Sequence, residues 1–488
     1  MDCCQTPRGH ITDSRYYSRG YTTLEARMVF CDQRRLQRWL DVEAALVISQ
    51  TALGMIPAEI SERLRDTAKL DLFDCEAIRT GIAETGHSLI PLLDEWQKTA
   101  GPEAARFIHY GATTQDIQDT AQSLEIRDII FIVERDLGLI IEELAKLTTS
   151  HRRRVIIGRT HGQHALPTTL GLKIAVWLDE MLRHAERLQQ CRRRLLVSQL
   201  FGGVGTMAAL GDRQQELLED FSCRLGLAAP NTAWHTARDR IAEFLSCLGM
   251  LTGTMAKIAN EIYQLAKNET GELEEPFHMG KIGSTTMPHK RNPELCEQVV
   301  VLARLVKAAA GLGFDGLINE HERDYRAVRL EWAGLVDASL YSCGALELLK
   351  NILKGLIVHP ERINRNLDSS ACLISTEALM FIIGDKIGKP AAHKLLYEIS
   401  MEAYGSGVPL SELLSRHPMV KSSITESEIR AAVDPAAHIG SAVEQADRIA
   451  GLAEEWLAEN RPAAKAPAPC PLAGNGRCGM TNRAIEKS

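Results

Sequence analysis

Between Ile241 and Leu265 the apolar residues Ile241, Phe244, Leu245, Leu248, Leu251, Met255, Ile258, Ala259, Ile262 and Leu265 recur at intervals of three and four, the period of a helix with one buried face. The stretches from Leu124 to Leu147 and from Leu170 to Leu188 read the same way. Proline, which removes an amide donor and clashes inside a helix, shows how far such helices can run. Only Pro167 interrupts Glu103 to Ala229, and Asn231 to Glu275 and Glu294 to His359 hold none, room for helices of roughly 25 residues or more. Alternating runs bounded by Asn-Gly turns are absent, so the pattern predicts an all-α protein. Composition and motif placement divide it into a helical domain over 1–108, a central long-helix bundle over 109–360 and a smaller helical domain over 361–460. The remainder, 461–488, holds four of the 18 prolines and no apolar period, and reads as a disordered tail. No internal repeat has a fixed period.

With 488 residues and 45% hydrophobic content, the chain can fill a sizeable core. Its formal charge of −7, from 56 basic and 63 acidic residues, supplies no basic stripe for a phosphate backbone, so nucleic acid is not an expected partner. The 12 cysteines are scattered and include no CxxC pair, which fits a reducing cytoplasm. Residues Met1 to Tyr17 lack the apolar stretch of a signal peptide, and no run of about 18 apolar residues suggests a membrane span.

Three segments carry candidate chemistry. Gly283-Ser284-Thr285-Thr286-Met287-Pro288-His289-Lys290-Arg291-Asn292-Pro293 has small hydroxylated residues, two helix-stopping prolines and a Lys/Asn pair, which describes either an anion-binding loop or a plain polar linker. His109 to Asp116 contains Thr113, Thr114 and Gln115 at a predicted helix start, where hydroxyls and free amides either cap the helix or hold an anion. Gly158 to Thr169 contains His161, and histidine is the side chain most readily tuned to exchange protons near neutral pH. His161 and His164 are spaced i,i+3, but no third ligand supports zinc, so no metal is expected. Phe201-Gly202-Gly203-Val204-Gly205 lacks the Lys-Ser/Thr ending of a phosphate loop, and nothing else indicates a cofactor. The run Glu272, Glu274, Glu275 reads as a solvated helix end.

In this order along the chain, the three segments resemble the signature regions of the fumarase/aspartase superfamily over roughly Arg35 to Ala453. The loop is similar to that family's GSSxMPxKxNP pattern, with Thr285 where the second Ser usually stands. The resemblance implies an L-aspartase-like fold and an enzyme that removes a proton beside a carboxylate, a step whose dianionic intermediate needs prearranged donors and cations. By resemblance Ser284 is the base and His161 the acid that protonates the leaving group. Lys290, Asn292, Thr113, Thr114 and Gln115 would bind substrate, with His87, Arg238 and Arg329 beside them. It also implies a homotetramer whose sites combine the three regions from different subunits, acting on a small dicarboxylate.

Phe201 to Thr206 and Trp234-His235-Thr236-Ala237-Arg238-Asp239-Arg240 resemble the branch of adenylosuccinate lyase and the carboxymuconate cycloisomerases. Val328, Arg329 and Trp332 stand where adenylosuccinate lyases carry phosphate-gripping residues, and Trp234 about where they carry a substrate-contacting Gln, so the nucleotide half looks rebuilt. Retention of His161 favours elimination of a nitrogen group from an N-substituted aspartate or related succinate, with the cycloisomerase reaction as the alternative. A catalytically silent scaffold should have lost its base or acid, and Ser284, His161, Lys290 and Asn292 are all present.

Overall fold

The computed structural model describes residues 9–408, 410–421 and 424–460, and long helices dominate it. The helices that position the chemistry are α1 (Asp32–Ala52), α2 (Ile90–Ala100), α3 (Thr114–His151), α4 (Leu170–Leu195), α5 (Asp239–Leu265), α6 (Glu294–Asp315), α7 (Tyr325–Lys354), α8 (Pro360–Ile374) and α9 (Ala442–Glu459). Helices α3 to α7 and α9 pack side by side as a bundle. At about 1.5 Å per residue, α3 spans about 57 Å and α5 about 40 Å. The expected tail, 461–488, lies outside the described residues.

The apolar period of α5 does what it predicts: Ile241, Phe244, Leu245, Leu248, Met255 and Ile258 are buried. By length and composition alone α5 could cross a membrane, but its apolar face packs against α4, α6 and α7. Side chains of these helices make one large apolar cluster. A second gathers Leu40, Trp96 and Ile108 with Ile117 and Leu124 of α3 and Leu200 to Leu227, so apolar packing continues across residue 108. A third holds Leu379 to Ala432.

The structure adds one element that helical periodicity did not announce, an antiparallel hairpin of β1 (Val155–Thr160) and β2 (Gln163–Thr169). Its two-residue connection is His161-Gly162, with φ +54° and +76°. Positive φ at both positions is the backbone of a type I′ turn, whose twist matches that of the strands. The β-branched run Val155-Ile156-Ile157 was the available signal. A second short pair, β3 (Leu273–Glu274) with β4 (Ile357–Val358), ties the segment after α5 to the segment after α7. Among the cysteines, Cys223 is disulfide-bonded, which the scattered spacing did not predict.

Candidate active site

At the N-terminal end of α3, Thr113 precedes the first helical residue, and its amide donates to the Asp116 carboxylate at 3.0 Å. Asp116 is fully buried and also accepts the amides of Phe201 and Gly202 and the Nε2 of His235. This one carboxylate therefore docks the Phe201 loop against the helix start. Thr113 Oγ1 accepts from Arg323 Nη1 at 2.8 Å, and Thr114 Oγ1 lies 3.4 Å from His87 Nε2. His87 Nδ1 accepts the amides of Leu89 and Ile90, at the start of α2, so in the neutral ring the proton sits on Nε2 and faces Thr114. Gln118 links Ser88 to the Tyr325 hydroxyl, and Arg329 lies over the Tyr325 ring at 5.5 Å. Thr113, Thr114, His87, Arg323 and Arg329 thus share one end of the bundle, with hydroxyls, a helix N-terminus and two guanidiniums that suit an anion.

Two residues expected at the substrate are engaged elsewhere. Arg238 is 1% exposed, and its guanidinium is held by Asp119 at 2.8 and 3.1 Å and by Glu331 at 2.7 Å. A buried cation between two carboxylates is a structural part of the α3, α5 and α7 junction, not a free donor. Gln115 is fully buried, gives its amide to Asp119 and the His235 carbonyl, and accepts from Arg323 at 3.4 Å. It steadies Arg323 rather than reaching a ligand. Trp234, at 2% exposure with its indole N–H on the Ser198 carbonyl, is a core residue.

The other end of the bundle carries Ser284 and His161. Ser284 Oγ accepts two backbone amides, Thr286 N at 3.2 Å and Met287 N at 3.0 Å. The loop is pinched shut: Asn292 Nδ2 donates to the Gly283 carbonyl at 2.6 Å, and a Cβ at Gly283 would stand 2.0 Å from the Lys290 carbonyl oxygen, so only glycine fits. Asn292 acts here as a clamp on the loop. Lys290 is exposed, with no carboxylate within 4 Å among the described residues. The Glu272, Glu274, Glu275 run is not a solvated helix end. Glu275, 2% exposed, accepts Lys281 Nζ at 2.9 Å and the Leu295 and Cys296 amides, fixing the loop's start to the first turn of α6. Glu274 takes Arg291 and His359, fixing the loop's far side. Glu272, equally buried, takes both arms of Arg159 at 3.0 and 2.6 Å and so locks the hairpin whose turn exposes His161. Among the described residues no group of His, Cys, Asp and Glu is arranged to hold a metal ion.

Helix α5 measures the gap between the two ends, because it starts just after Arg238, which is bonded to Asp119, and its last residue, Leu265, accepts the Glu272 amide. The anion-suited helix start therefore lies about 40 Å from the Ser284 loop within one chain.

The chain matches a family described as lyase over residues 22–307, and one described as adenylosuccinate lyase C-terminus over 372–449. It is 40% identical to an N-acetyl-S-(2-succino)cysteine lyase of Dickeya dadantii, over 91% of this chain and 98% of that one. An adenylosuccinate lyase of Pyrococcus abyssi is 37% identical over 91% of this chain and 98% of its own. The crystal structure of a 3-carboxy-cis,cis-muconate lactonizing enzyme from Pseudomonas putida superposes with a TM-score of 0.85 at 34% identity, covering 91% of this chain and all of that one. The chain belongs to the fumarase/aspartase superfamily. It is a lyase-type enzyme of that superfamily, and its long-helix bundle is the superfamily fold.

Arg323 is the site residue that reading the superfamily motifs missed. Nothing in the sequence tells which of several arginines folds back onto Thr113, more than 200 positions earlier.

Proposed function

We propose that this chain removes a proton beside a carboxylate of a succinylated substrate and expels the group on the neighbouring carbon as a thiol, releasing fumarate. The observation that carries the reading is the Ser284 oxygen, which accepts two backbone N–H groups in a loop that also bears Lys290. Those donors stabilise an alkoxide, which a serine needs to act as a carbon-acid base near neutral pH. Proton transfer from carbon to Ser284 Oγ leaves a dianionic carboxylate. Lys290 balances that charge, while Thr113, Thr114 and Arg323 hold the distal carboxylate. Collapse of the dianion breaks the bond to the leaving group and forms the double bond of fumarate.

A nitrogen leaving group was the expectation from retained His161. Sulfur fits better with the succinylated-cysteine relatives and with a site whose nucleotide-binding half is rebuilt: Val328 is buried and Trp332 packs on Trp39. A thiol of ordinary pKa about 8.5 leaves as the thiolate with little help, whereas a weakly basic nitrogen, one not already protonated near neutral pH, must be given a proton to leave as a neutral amine. Replacing His161 by Ala should accordingly cost less with a thioether substrate than with an N-succinyl amine.

The substrate is tested by incubating the protein with N-acetyl-S-(2-succino)cysteine, adenylosuccinate and 3-carboxymuconate. Equimolar fumarate and thiol from the first, abolished in Ser284→Ala, is the expected result. Turnover of carboxymuconate alone would move the chain to the cycloisomerases. The distance of about 40 Å between Thr113 and Ser284 leads us to propose composite sites in a homotetramer. Mixing Ser284→Ala with Thr114→Ala subunits should restore activity to a pair of inactive proteins; silent mixed tetramers would defeat that arrangement.

A further inference from the structure

The last turn of α3 runs into Arg152-Arg153-Arg154, and these side chains face α8 across an open cavity of about 580 Å³. Ser150, Asn364 and Leu367 line it with them. Only one carboxylate answers the three guanidiniums among the described residues: Asp447 of α9, 3.7 Å from Arg152 Nε. Arg153 is exposed, and Arg154 Nε is buried without any acceptor. A buried donor left unpaired costs free energy, so such an atom marks a place where an acceptor is missing. Burial and, after it, the Arg154 charge also hold the His151 imidazole below its ordinary value. The carbonyl end of α3 accounts for some of this charge, since a helix C-terminus carries about half a negative charge. It does not account for three cations around an open cavity.

We propose that this cavity is a binding site for a small oxyanion of two or more negative charges, of the diphosphate or polycarboxylate class, separate from the catalytic residues. The volume lies within the range of roughly 300 to 1,000 Å³ that small-molecule sites occupy. Guanidinium forks suit such groups because each presents two parallel donors to a pair of oxygens. The location gives the ligand a structural consequence. Arg154 O accepts the Leu170 amide at the root of the β1–β2 hairpin, and α8 packs on both strands, so a bound anion joins the hairpin root to α8. His161 lies at the far tip, about 20 Å along the strand.

The test is calorimetric titration of the full-length protein with pyrophosphate and, separately, citrate, with hydrogen exchange followed by mass spectrometry. One anion per chain should bind, more weakly as salt is raised, and slow exchange across 150–158 and 360–367. Arg153→Gln, an exposed change, should weaken binding by about tenfold and leave basal turnover unchanged. Asn364→Leu should weaken it without touching any charge. Citrate binding in place of pyrophosphate would assign the site to polycarboxylates. Equal affinity in wild type and Arg153→Gln, protection only around Thr113 or Lys290, or no binding of either anion would overturn the proposal.

Discussion

The two ends of the helical bundle handle polar groups in opposite ways. At the start of α3, Asp119, Gln115, Arg238 and Glu331 are buried and bonded to one another, and buried Asp116 holds the Phe201 loop and His235, so Thr113 and Arg323 sit on a frame of paired groups. At the far end the groups that would do chemistry, Ser284, Lys290 and His161, stand on a loop and a turn, and only the roots of those segments are fixed, by Glu272, Glu274 and Glu275. The difference teaches a division of labour. Substrate carboxylates are best met by prepaired donors that need no reorganisation, whereas a base that must exclude water benefits from a segment that can close.

Substitutions at the two ends should therefore separate activity from stability. Ser284→Ala is expected to lower kcat by about 10²- to 10⁴-fold, the contribution of a general base, with the melting temperature unchanged. A matching loss of stability would show the loop to be part of the frame. Arg238→Met should behave the other way, costing about 3–5 kcal/mol in denaturant unfolding because Asp119 and Glu331 are left as buried unpaired carboxylates. Normal stability with lost turnover would instead return Arg238 to the substrate. Glu275→Gln loosens the loop's root by weakening its hold on Lys281 and on the α6 amides. About a tenfold fall in kcat with a stability loss of only about 1 kcal/mol is expected in steady-state kinetics and thermal melts.

The smallest effect belongs to the frame end. His109, at φ +58° just before Thr113, meets the buried Glu43 carboxylate at 2.6 Å. Burial works to lower the imidazole pKa, but the hydrogen bond and charge of Glu43 outweigh it and hold the group above its ordinary 6.5. The folded chain thus binds this proton more tightly than the unfolded one. The stability it supplies is fully present below about pH 6.5 and is lost as pH rises through the higher folded value. Unfolding midpoints taken across that window should fall with pH in the wild type and flatten in His109→Gln.

Several of these features were legible along the chain. The intervals of three and four in α5 placed its buried face residue by residue, because a helix maps sequence spacing directly onto geometry. The Ser284 loop was legible from its prolines and small residues. The His161 hairpin was not, since its turn is His-Gly rather than Asn-Gly and its strands follow a helix of 38 residues. Glu272 and Glu275 were misread because an acidic run looks solvated until the partners that bury it, Arg159 and Lys281, are known.

The sequence by itself determined the helical class, the family resemblance and the residue types of the chemistry, all of which depend on local order along the chain. Only the tertiary structure decided that Arg238 and Gln115 are spent in the frame, that Arg323 reaches Thr113, and that the helix start lies about 40 Å from the serine loop. Those outcomes turn on which distant partner satisfies each buried charge, and the number of possible partners for an arginine or a carboxylate is too large for spacing to choose among them.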